Sequence, residues 1–288
     1  MDPEGTAPPK IAYVVACTHT GSTLLTRILN QHPQIFSAGE LQYLDRYWHP
    51  TGRPCSCGVH ALECPVWREV FWQWKRATKL DLVPVSRVSA ERGLEWIRAL
   101  TGRYGTRGKN PFPQANSELM SAIAQVTGAT VVLDNSKSVW RLLPLVRAYP
   151  ERVFVLHLVR SPEGHVASRM RRKGRGFLDA VITKYLRTNL LAERLFGRSP
   201  HYLKVRYEDL VARPEETIRG VTDWLGLPVA DPFAGEIRAS HDINGNDETK
   251  SSLAATLKPD PSRLGKPMEW TGFQRAVLRL ARALVFDR

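Results

Sequence analysis

Ala16-Cys-Thr-His-Thr-Gly-Ser-Thr-Leu-Leu-Thr-Arg-Ile-Leu29 is the stretch that decides the fold. It ends an apolar, β-rich run at residues 11–16 and leads into a helical pattern of leucine and isoleucine from Leu24 to Leu29. The stretch therefore predicts a strand, a tight turn and the start of a helix. This geometry directs backbone N–H groups and hydroxyls at an anion, which the positive end of the helix favours.

The turn lacks the lysine of a nucleoside triphosphatase loop. Such a loop would read G-x-x-x-x-G-K-[ST]. Here Ala16 stands at the first glycine and Ser22 stands at the lysine, so the usual clamp on the phosphates of ATP is missing. The sequence predicts a site for a phosphorylated nucleotide other than ATP.

The composition is that of a soluble globular protein with a basic surface. The chain has 288 residues, enough for one large α/β domain or two small ones, and a net charge of +13. This charge favours anionic partners, but it does not choose among polyanions, acidic membranes and small multiply charged ligands. Basic residues concentrate at residues 169–175, where we expect a mobile loop that is either a solvated surface or a collector of an anionic ligand.

Segments for export or membrane insertion are not recognisable. The N-terminal MDPEGTAPPK has no apolar core for a signal peptide, and no window approaches the ~18 apolar residues of a membrane span. We expect a soluble, cytoplasmic protein without a transmembrane segment, unless the sequence is that of a trimmed ectodomain.

Three of the four cysteines, Cys55, Cys57 and Cys64, lie close together in sequence. With the nearby His60 they offer zinc ligands, but their spacing does not match a standard zinc finger. The preferred interpretation is a local disulfide or free thiols beside a packed Trp67.

Short apolar runs alternate with helical patterns along the chain, which predicts an α/β three-layer sandwich with a central, mostly parallel sheet. Strands are expected at residues 11–16, 35–37, 130–133, 152–159 and 202–206. Helices are expected at residues 66–77, 89–100, 116–127, 138–148, from 163 onwards, 177–196, 214–226 and 271–286. Residues 1–288 are interpreted as one domain, with 41–115 a helical insertion or lid and 240–288 a C-terminal loop plus helix.

Polar residues gather where the predicted strands end. In parallel sheets ligands bind beyond the carboxyl ends of the strands, so these residues should meet in one cleft. They are Thr18–Thr23, Glu40, Asp134–Lys137, Arg160 and Tyr207.

Four stretches now resemble the sulfotransferases that use 3′-phosphoadenosine 5′-phosphosulfate (PAPS). They are THTGSTLLTRIL with Gly39-Glu40, DNSK at 134–137, VLHLVRSPEGHVASR at 155–169, and VRYEDLVARPEETI at 205–218. They occur in the family's order, and the second pair of motifs is far more specific than the loop alone. The resemblance is to the glutamate-base branch, which includes bacterial and tyrosylprotein-type sulfotransferases, and it implies a P-loop-like sulfotransferase fold.

The resemblance implies a PAPS site and a reaction that needs no metal. Arg160 and Ser168 would hold the 3′-phosphate, and Tyr207, which is equally interpretable as a structural corner, would lie near the adenine. Arg263, in a short match, would belong to a loop that closes over the nucleotide. The 5′-phosphosulfate would be bound by the N–H groups and hydroxyls of Thr18, His19, Thr20, Gly21, Ser22, Thr23 and Leu24.

The resemblance also implies that Glu40 is the general base, which takes the proton of the acceptor. Lys137 could neutralise sulfate or phosphate charge, whereas Asp134 could simply cap the next helix. His19 departs from the family, because most relatives have Arg or Lys at that position. It could donate to the leaving group, carry a proton, or leave the cationic role to Lys137 or to an arginine from 169–175.

The expected acceptor is a small molecule with a hydroxyl group, or less favourably an amine. A lipid, a sugar or a phenolic natural product would fit, and a nucleic acid is not expected. Two other classes stay open. A P-loop kinase would need a metal-binding carboxylate, for which Asp134 is the candidate, and a polyanion- or membrane-binding module would rest on the net charge and the basic terminal helix.

Overall fold

The computed structural model describes residues 7–78, 111–174, 176–244 and 268–288. These residues form a five-stranded sheet in the order β2-β3-β1-β4-β5, and every neighbouring pair is parallel. The strands are β1 Lys10–Ala16, β2 Ile35–Gly39, β3 Val131–Lys137, β4 Val153–Val159 and β5 Tyr202–Arg206. The predicted fold class is confirmed.

Helices connect the strands and cover both faces of the sheet. They are α1 Ser22–Leu29, α2 Pro65–Ala77, α3 Phe112–Thr127, α4 Val139–Ala148, α5 Pro162–Lys173, α6 Arg187–Phe196, α7 Tyr207–Ala212, α8 Pro214–Trp224 and α9 Gly272–Ala281. A 3₁₀ segment occupies Leu41–Arg46, and π-helical segments occupy Asp179–Leu186 and Arg282–Phe286.

The central strand β1 supplies both halves of the core. Successive side chains of a strand point to opposite faces. Accordingly, Ile11, Tyr13 and Val15 pack with α2, α3, α4 and α6, whereas Ala12 and Val14 pack with α1, α7 and α8. A third apolar cluster joins α5, the segment Asp179–Leu186 and α9 near the end of β4.

Residues 169–173 of the basic stretch do not form the loop that the sequence suggests. Helix α5 continues to Lys173 and ends at Gly174, whose φ of 57° is the left-handed conformation that glycine tolerates at a helix end. Arg169 is consequently buried, with 8% of its surface exposed. The predicted helix 177–196 is likewise interrupted, since Asp179–Leu186 is π-helical before α6 begins.

The predicted insertion at 41–115 is described only in part. Helix α2 packs on the core through buried Trp67 and Trp74, while Trp72 is exposed. The interpretation of this segment as a lid stays a prediction, because residues 79–110, including the expected helix at 89–100, lie outside the described residues. Within the described parts, no helix combines the length and apolar character needed to cross a bilayer.

Candidate active site

The carboxyl ends of the five strands meet at one edge of the sheet. Glu40 follows β2, Lys137 ends β3, the loop 17–21 follows β1, Arg160 follows β4, and Tyr207 follows β5. The strand order places β1 between β3 and β4, so the loop is flanked by Lys137 on one side and Arg160 on the other. The convergence expected from the strand ends is therefore present.

The loop after β1 is folded tightly against its neighbours. His19 and Gly21 both have positive φ, 66° and 91°. The hydroxyl of Thr20 donates to the carbonyl of Cys17 at 2.7 Å, which closes the turn. Helix α1 then begins at Ser22, so the N–H groups of its first turn have no partner within the helix and are available to an anion.

The predicted loop ligands differ in exposure. Thr18 is exposed, Thr23 is half-buried, and Ser22 is buried. The side chain of Leu24 belongs to the apolar core, so only its backbone N–H could face a ligand.

Arg160 and Tyr207 are stacked beside this loop. The guanidinium of Arg160 lies 4.7 Å from the centre of the Tyr207 ring and donates to the carbonyl of His19 at 3.2 Å. The ring in turn rests on Gly21, where an added Cβ would come within 2.3 Å of two ring carbons. Gly21 is therefore required both by its backbone conformation and by the approach of Tyr207.

Two more basic residues reach the loop from α5 and the π-helical segment Asp179–Leu186. Together with Arg160, these residues, Arg169 and Lys184, are called the cation cluster below. Ser168 is half-buried on α5, and Arg169 donates to the hydroxyl of Thr18 at 3.2 Å. Its Nε is buried without a hydrogen-bond partner among the described residues. The backbone of Lys184 accepts a hydrogen bond from the Cys17 thiol at 3.1 Å. These contacts bring two further basic residues to the loop.

The pKa of buried His165 reflects the positive charge of this region. Burial and the nearby charges of Arg169, Arg160, His19 and Lys184 lower the pKa of His165 to about 3. Neither ring nitrogen has a hydrogen-bond partner among the described residues. The imidazole is therefore neutral at physiological pH, while the cations around it create a potential that suits a multiply charged anion.

On the other side of the loop, Glu40 and Lys137 form an ion pair. The Nζ of Lys137 lies 2.5 Å from Oε1 of Glu40, and both side chains are nearly buried. Gln42 donates to the other carboxylate oxygen of Glu40 at 3.4 Å. The φ of Lys137 is 66°, an uncommon value for a residue other than glycine, and it is the kind of local strain that accumulates at functional sites.

The segment 240–244 supports Glu40 from behind. The carbonyl of Ile243 accepts the N–H of Glu40 at 2.6 Å, and the N–H of Ile243 donates to Ala38 at 3.0 Å. Asp242 is buried and accepts from Ser37 at 2.6 Å, with Arg27 of α1 at 3.7 Å. A distant part of the chain thus fixes the end of β2.

Comparison with known proteins identifies the family of this chain. A model described as the sulfotransferase family matches residues 88–231, half of the chain. The chain belongs to the sulfotransferase family. No curated protein sequence matches this sulfotransferase.

Solved structures agree on the fold of this sulfotransferase. The sulfotransferase domain of the olefin synthase from Synechococcus PCC 7002 is 18% identical, with 96% of each chain covered and a TM-score of 0.53. The sulfotransferase domain from the curacin biosynthetic pathway is 17% identical, with 96% of this chain and 98% of that chain covered and a TM-score of 0.55. The resemblance inferred from the motifs is confirmed at the level of family and fold.

Asp134 has a structural role in this sulfotransferase, and it does not cap α4. Its carboxylate is buried, pairs with Nε of Arg141 at 3.3 Å and accepts the N–H of Ser136 at 2.9 Å. The cap of α4 is Ser138, whose hydroxyl accepts from the N–H of Arg141. Because Asp134 is committed to Arg141, it is a poor candidate for the metal-binding carboxylate that a kinase would need.

Two site features of this sulfotransferase were not predicted from the sequence. Lys184 lies in a helical pattern that carries no motif. His165 lies within the HVASR stretch, but the motif gives that position no role. Arg263, by contrast, was predicted to contact the nucleotide but lies outside the described residues, so that interpretation stays a prediction.

Proposed function

We propose that this sulfotransferase moves the sulfuryl group of PAPS to the hydroxyl of a small molecule, with Glu40 as the general base. The observation that carries the proposal is the pairing of Glu40 and Lys137 beside the loop 17–21. A carboxylate that can accept a proton and an ammonium that can stabilise negative charge stand together next to an anion-binding turn. In-line sulfuryl transfer needs a base on the acceptor and positive charge near the leaving oxygen, and in this proposal Glu40 and Lys137 supply them.

The nucleotide would lie along the loop and the cation cluster. The N–H groups at the start of α1, with the hydroxyls of Ser22 and Thr23, would hold the 5′-phosphosulfate. Arg160 and Ser168 would hold the 3′-phosphate, since a guanidinium offers a fork of donors to phosphate oxygens. The Tyr207 ring stacks against the guanidinium of Arg160 and so helps to position it. A contact of this ring with adenine is also proposed.

The chemical step follows from this placement. The acceptor hydroxyl attacks sulfur and transfers its proton to Glu40, while the bond from sulfur to the bridging oxygen breaks. The products are the sulfate ester and adenosine 3′,5′-bisphosphate, whose phosphate takes up the released charge. Lys137 would turn from Glu40 to the transferring group, so that donor binding frees the carboxylate to act as a base.

The leaving group has more than one source of positive charge. His19, in the position that is usually basic in the family, presents its carbonyl to Arg160. Arg169 reaches Thr18 on the same loop and is buried there. We assign the cationic role at the leaving phosphate to Arg169 together with Lys137, with His19 shaping the turn.

The aromatic residues of 41–78 contribute less to an acceptor pocket than their number suggests. Trp67, Trp74 and Tyr47 are buried in the core, whereas Tyr43 and Trp48 are only partly buried and pack against it. The acceptor is therefore proposed as a hydroxyl compound without a commitment to a lipid, a sugar or a phenol.

Donor specificity can be tested by calorimetry with adenosine 3′,5′-bisphosphate in the absence of magnesium. We expect stoichiometric binding that weakens strongly when the 3′-phosphate is removed, because Arg160 then loses its partner. A preference for magnesium ATP over the bisphosphate would contradict the proposed donor.

The base can be tested with labelled PAPS and a panel of phenols, sterols and sugars. We expect Glu40→Gln to lower turnover by about 10²-fold or more, which is the range of general-base catalysis, without weakening bisphosphate binding. Glu216→Gln, an exposed change on α8, is the matched control and should leave turnover unchanged. Full activity of Glu40→Gln would rule out Glu40 as the base.

A further inference from the structure

Three cysteines and one histidine meet beside the segment that pairs with the end of the edge strand β2. The thiols of Cys55, Cys57 and Cys64 and a ring nitrogen of His241 all lie within 4.8 Å of one another. The sequence suggested His60 as the fourth member, but Nδ1 of His60 instead accepts the N–H of Leu62 at 3.2 Å. The histidine comes from a segment 177 residues after Cys64.

The spacing of these atoms fits a tetrahedral zinc ion. With zinc–sulfur bonds of about 2.3 Å, two thiolates of a tetrahedral site stand about 3.8 Å apart. The sulfurs of Cys57 and Cys64 are 3.7 Å apart, and the sulfur of Cys64 is 3.2 Å from Nδ1 of His241. A disulfide would need sulfurs at about 2.05 Å, and all three cysteines are free thiols.

The backbone around the cysteines is shaped as a ligand-bearing turn. The N–H of Gly58 donates to the carbonyl of Cys55 at 2.9 Å, and Gly58 has a φ of 94°. This tight turn points Cys55 and Cys57 to the same side. Cys64 is the residue immediately before α2, so its side chain stands at the N-terminus of that helix, whose dipole favours negative charge.

The histidine is held by the same elements that carry the cysteines. The indole N–H of Trp67 donates to the carbonyl of His241 at 2.6 Å. In the turn that carries Cys55 and Cys57, the hydroxyl of Ser56 donates to the carbonyl of Ser240 at 2.8 Å and accepts the N–H of Asp242 at 2.7 Å. These bonds orient His241 towards the thiols, in the way that outer groups orient the ligands of metal sites.

We propose that Cys55, Cys57, Cys64 and His241 bind a structural Zn²⁺ ion. Three sulfurs and one imidazole form a complete tetrahedral set with no position left for water, as in structural zinc centres. Binding displaces the three thiol protons to solvent and leaves the centre with one net negative charge. The metal takes no part in sulfuryl transfer, so the expectation that the reaction needs no metal is unaffected.

The centre would hold the backbone behind Glu40. His241 is followed directly by Asp242 and Ile243, and Ile243 bonds to the N–H of Glu40 at 2.6 Å. The zinc ion would therefore tie the turn 55–58 and the start of α2 to the strand end that carries the base. This consequence rests on the proposed function of Glu40, whereas the metal site itself does not.

The test is the metal content of the purified full-length chain, measured by plasma mass spectrometry. We expect one zinc ion per chain. After exchange for Co²⁺, we expect ligand-field bands of a tetrahedral site and a thiolate charge-transfer band. A wild-type chain without stoichiometric zinc whose apo form also takes up no Co²⁺ into thiolate ligands would overturn the proposal, as would a disulfide among the three cysteines.

Single substitutions locate the ligands. Cys57→Ser and His241→Ala should each lower zinc content and abolish the cobalt charge-transfer pattern of the wild type, whereas the matched changes Cys17→Ser and His60→Ala should retain both. Zinc that persists unchanged in Cys57→Ser and His241→Ala would also contradict the assignment.

Removal of zinc by a chelator should lower the melting temperature, and this readout is independent of catalysis. If Glu40 is the base, chelation should lower turnover more than bisphosphate affinity.

Discussion

Gly39 shows how one residue without a side chain determines where the proposed base lies. Its φ is 76°, and an added Cβ would stand 2.2 Å from the carbonyl oxygen of Ile243. We predict that Gly39→Ala lowers the free energy of unfolding by about 2 kcal/mol or more, because strain and the collision add. It should also lower turnover by moving Glu40, while bisphosphate binding on the β1 loop is retained. Urea unfolding, steady-state kinetics and calorimetry measure these effects.

Gly128 provides the matched control for that change. Its φ of 72° is nearly the same, but an added Cβ there would meet nothing within 4 Å. Gly128→Ala should therefore carry only the backbone strain, and the difference between the two variants isolates the collision with Ile243. Equal losses of stability in the two variants would show that the contact with Ile243 is unimportant.

Residues at strand ends were predictable from the sequence, whereas three residues outside the recognised motif positions, Lys184, His165 and His241, were not. Glu40 and Arg160 each follow a mostly apolar run, Lys137 follows one after three polar residues, and parallel strands bring such positions together. Lys184 and His165 sit within helical patterns, where periodicity indicates a helix but does not say what another element brings against it. His241 was missed for the same reason, since its partners are 177 or more residues away in the chain.

At the level of elements, the start of α5 is coupled to α7 through Glu208. The carboxylate of Glu208 accepts the N–H of Ser161 at 3.0 Å, and Ser161 caps α5 directly after Arg160. We predict that Glu208→Ala weakens bisphosphate binding about tenfold, because a hydrogen bond to a charged group is worth about 1.5–3 kcal/mol and Arg160 loses its support. Calorimetry with the bisphosphate measures the change.

Glu208→Gln separates positioning from charge in this coupling. Glutamine keeps an oxygen that can accept the N–H of Ser161 but removes the negative charge. Affinity in Glu208→Gln should therefore match or exceed that of the wild type, since losing a carboxylate near Arg160 favours an anion. Weakened binding in both variants alike would contradict a positioning role for Glu208.

Element types were predicted well from periodicity, but some boundaries were not. Strand β3 was expected to end at residue 133, yet it continues through the polar residues to Lys137. This happens because Asp134 finds partners in Arg141 and Ser136, so a polar sequence can remain buried in a strand. The glycines after 173 suggested a loop from 169 onwards, but packing of α5 against the π-helical segment extends the helix to Lys173.

For the molecule as a whole, two buried histidines should control stability in mild acid. Burial lowers the pKa of His157 to about 4, and burial with the nearby cations lowers that of His165 to about 3. The side-chain amide N–H of Asn189 donates to the carbonyl of Tyr185, which leaves the amide oxygen of Asn189 to accept from Nε2 of His157. The other ring nitrogen of His157, Nδ1, accepts from the hydroxyl of Tyr202. This network needs a neutral ring, and His165 has no described partner that would reward protonation.

We therefore predict that the free energy of unfolding decreases as pH is lowered from about 6.5 towards 4. Unfolded histidine has a pKa of about 6.5, so the unfolded chain binds up to two more protons in this window, and stability changes by up to about 2.7 kcal/mol per pH unit. Urea unfolding between pH 7 and 5 measures the slope. His165→Leu should remove about half of it, whereas exposed His49→Gln should not change it. A slope unaltered by His165→Leu would mean that the imidazole is protonated in the folded protein.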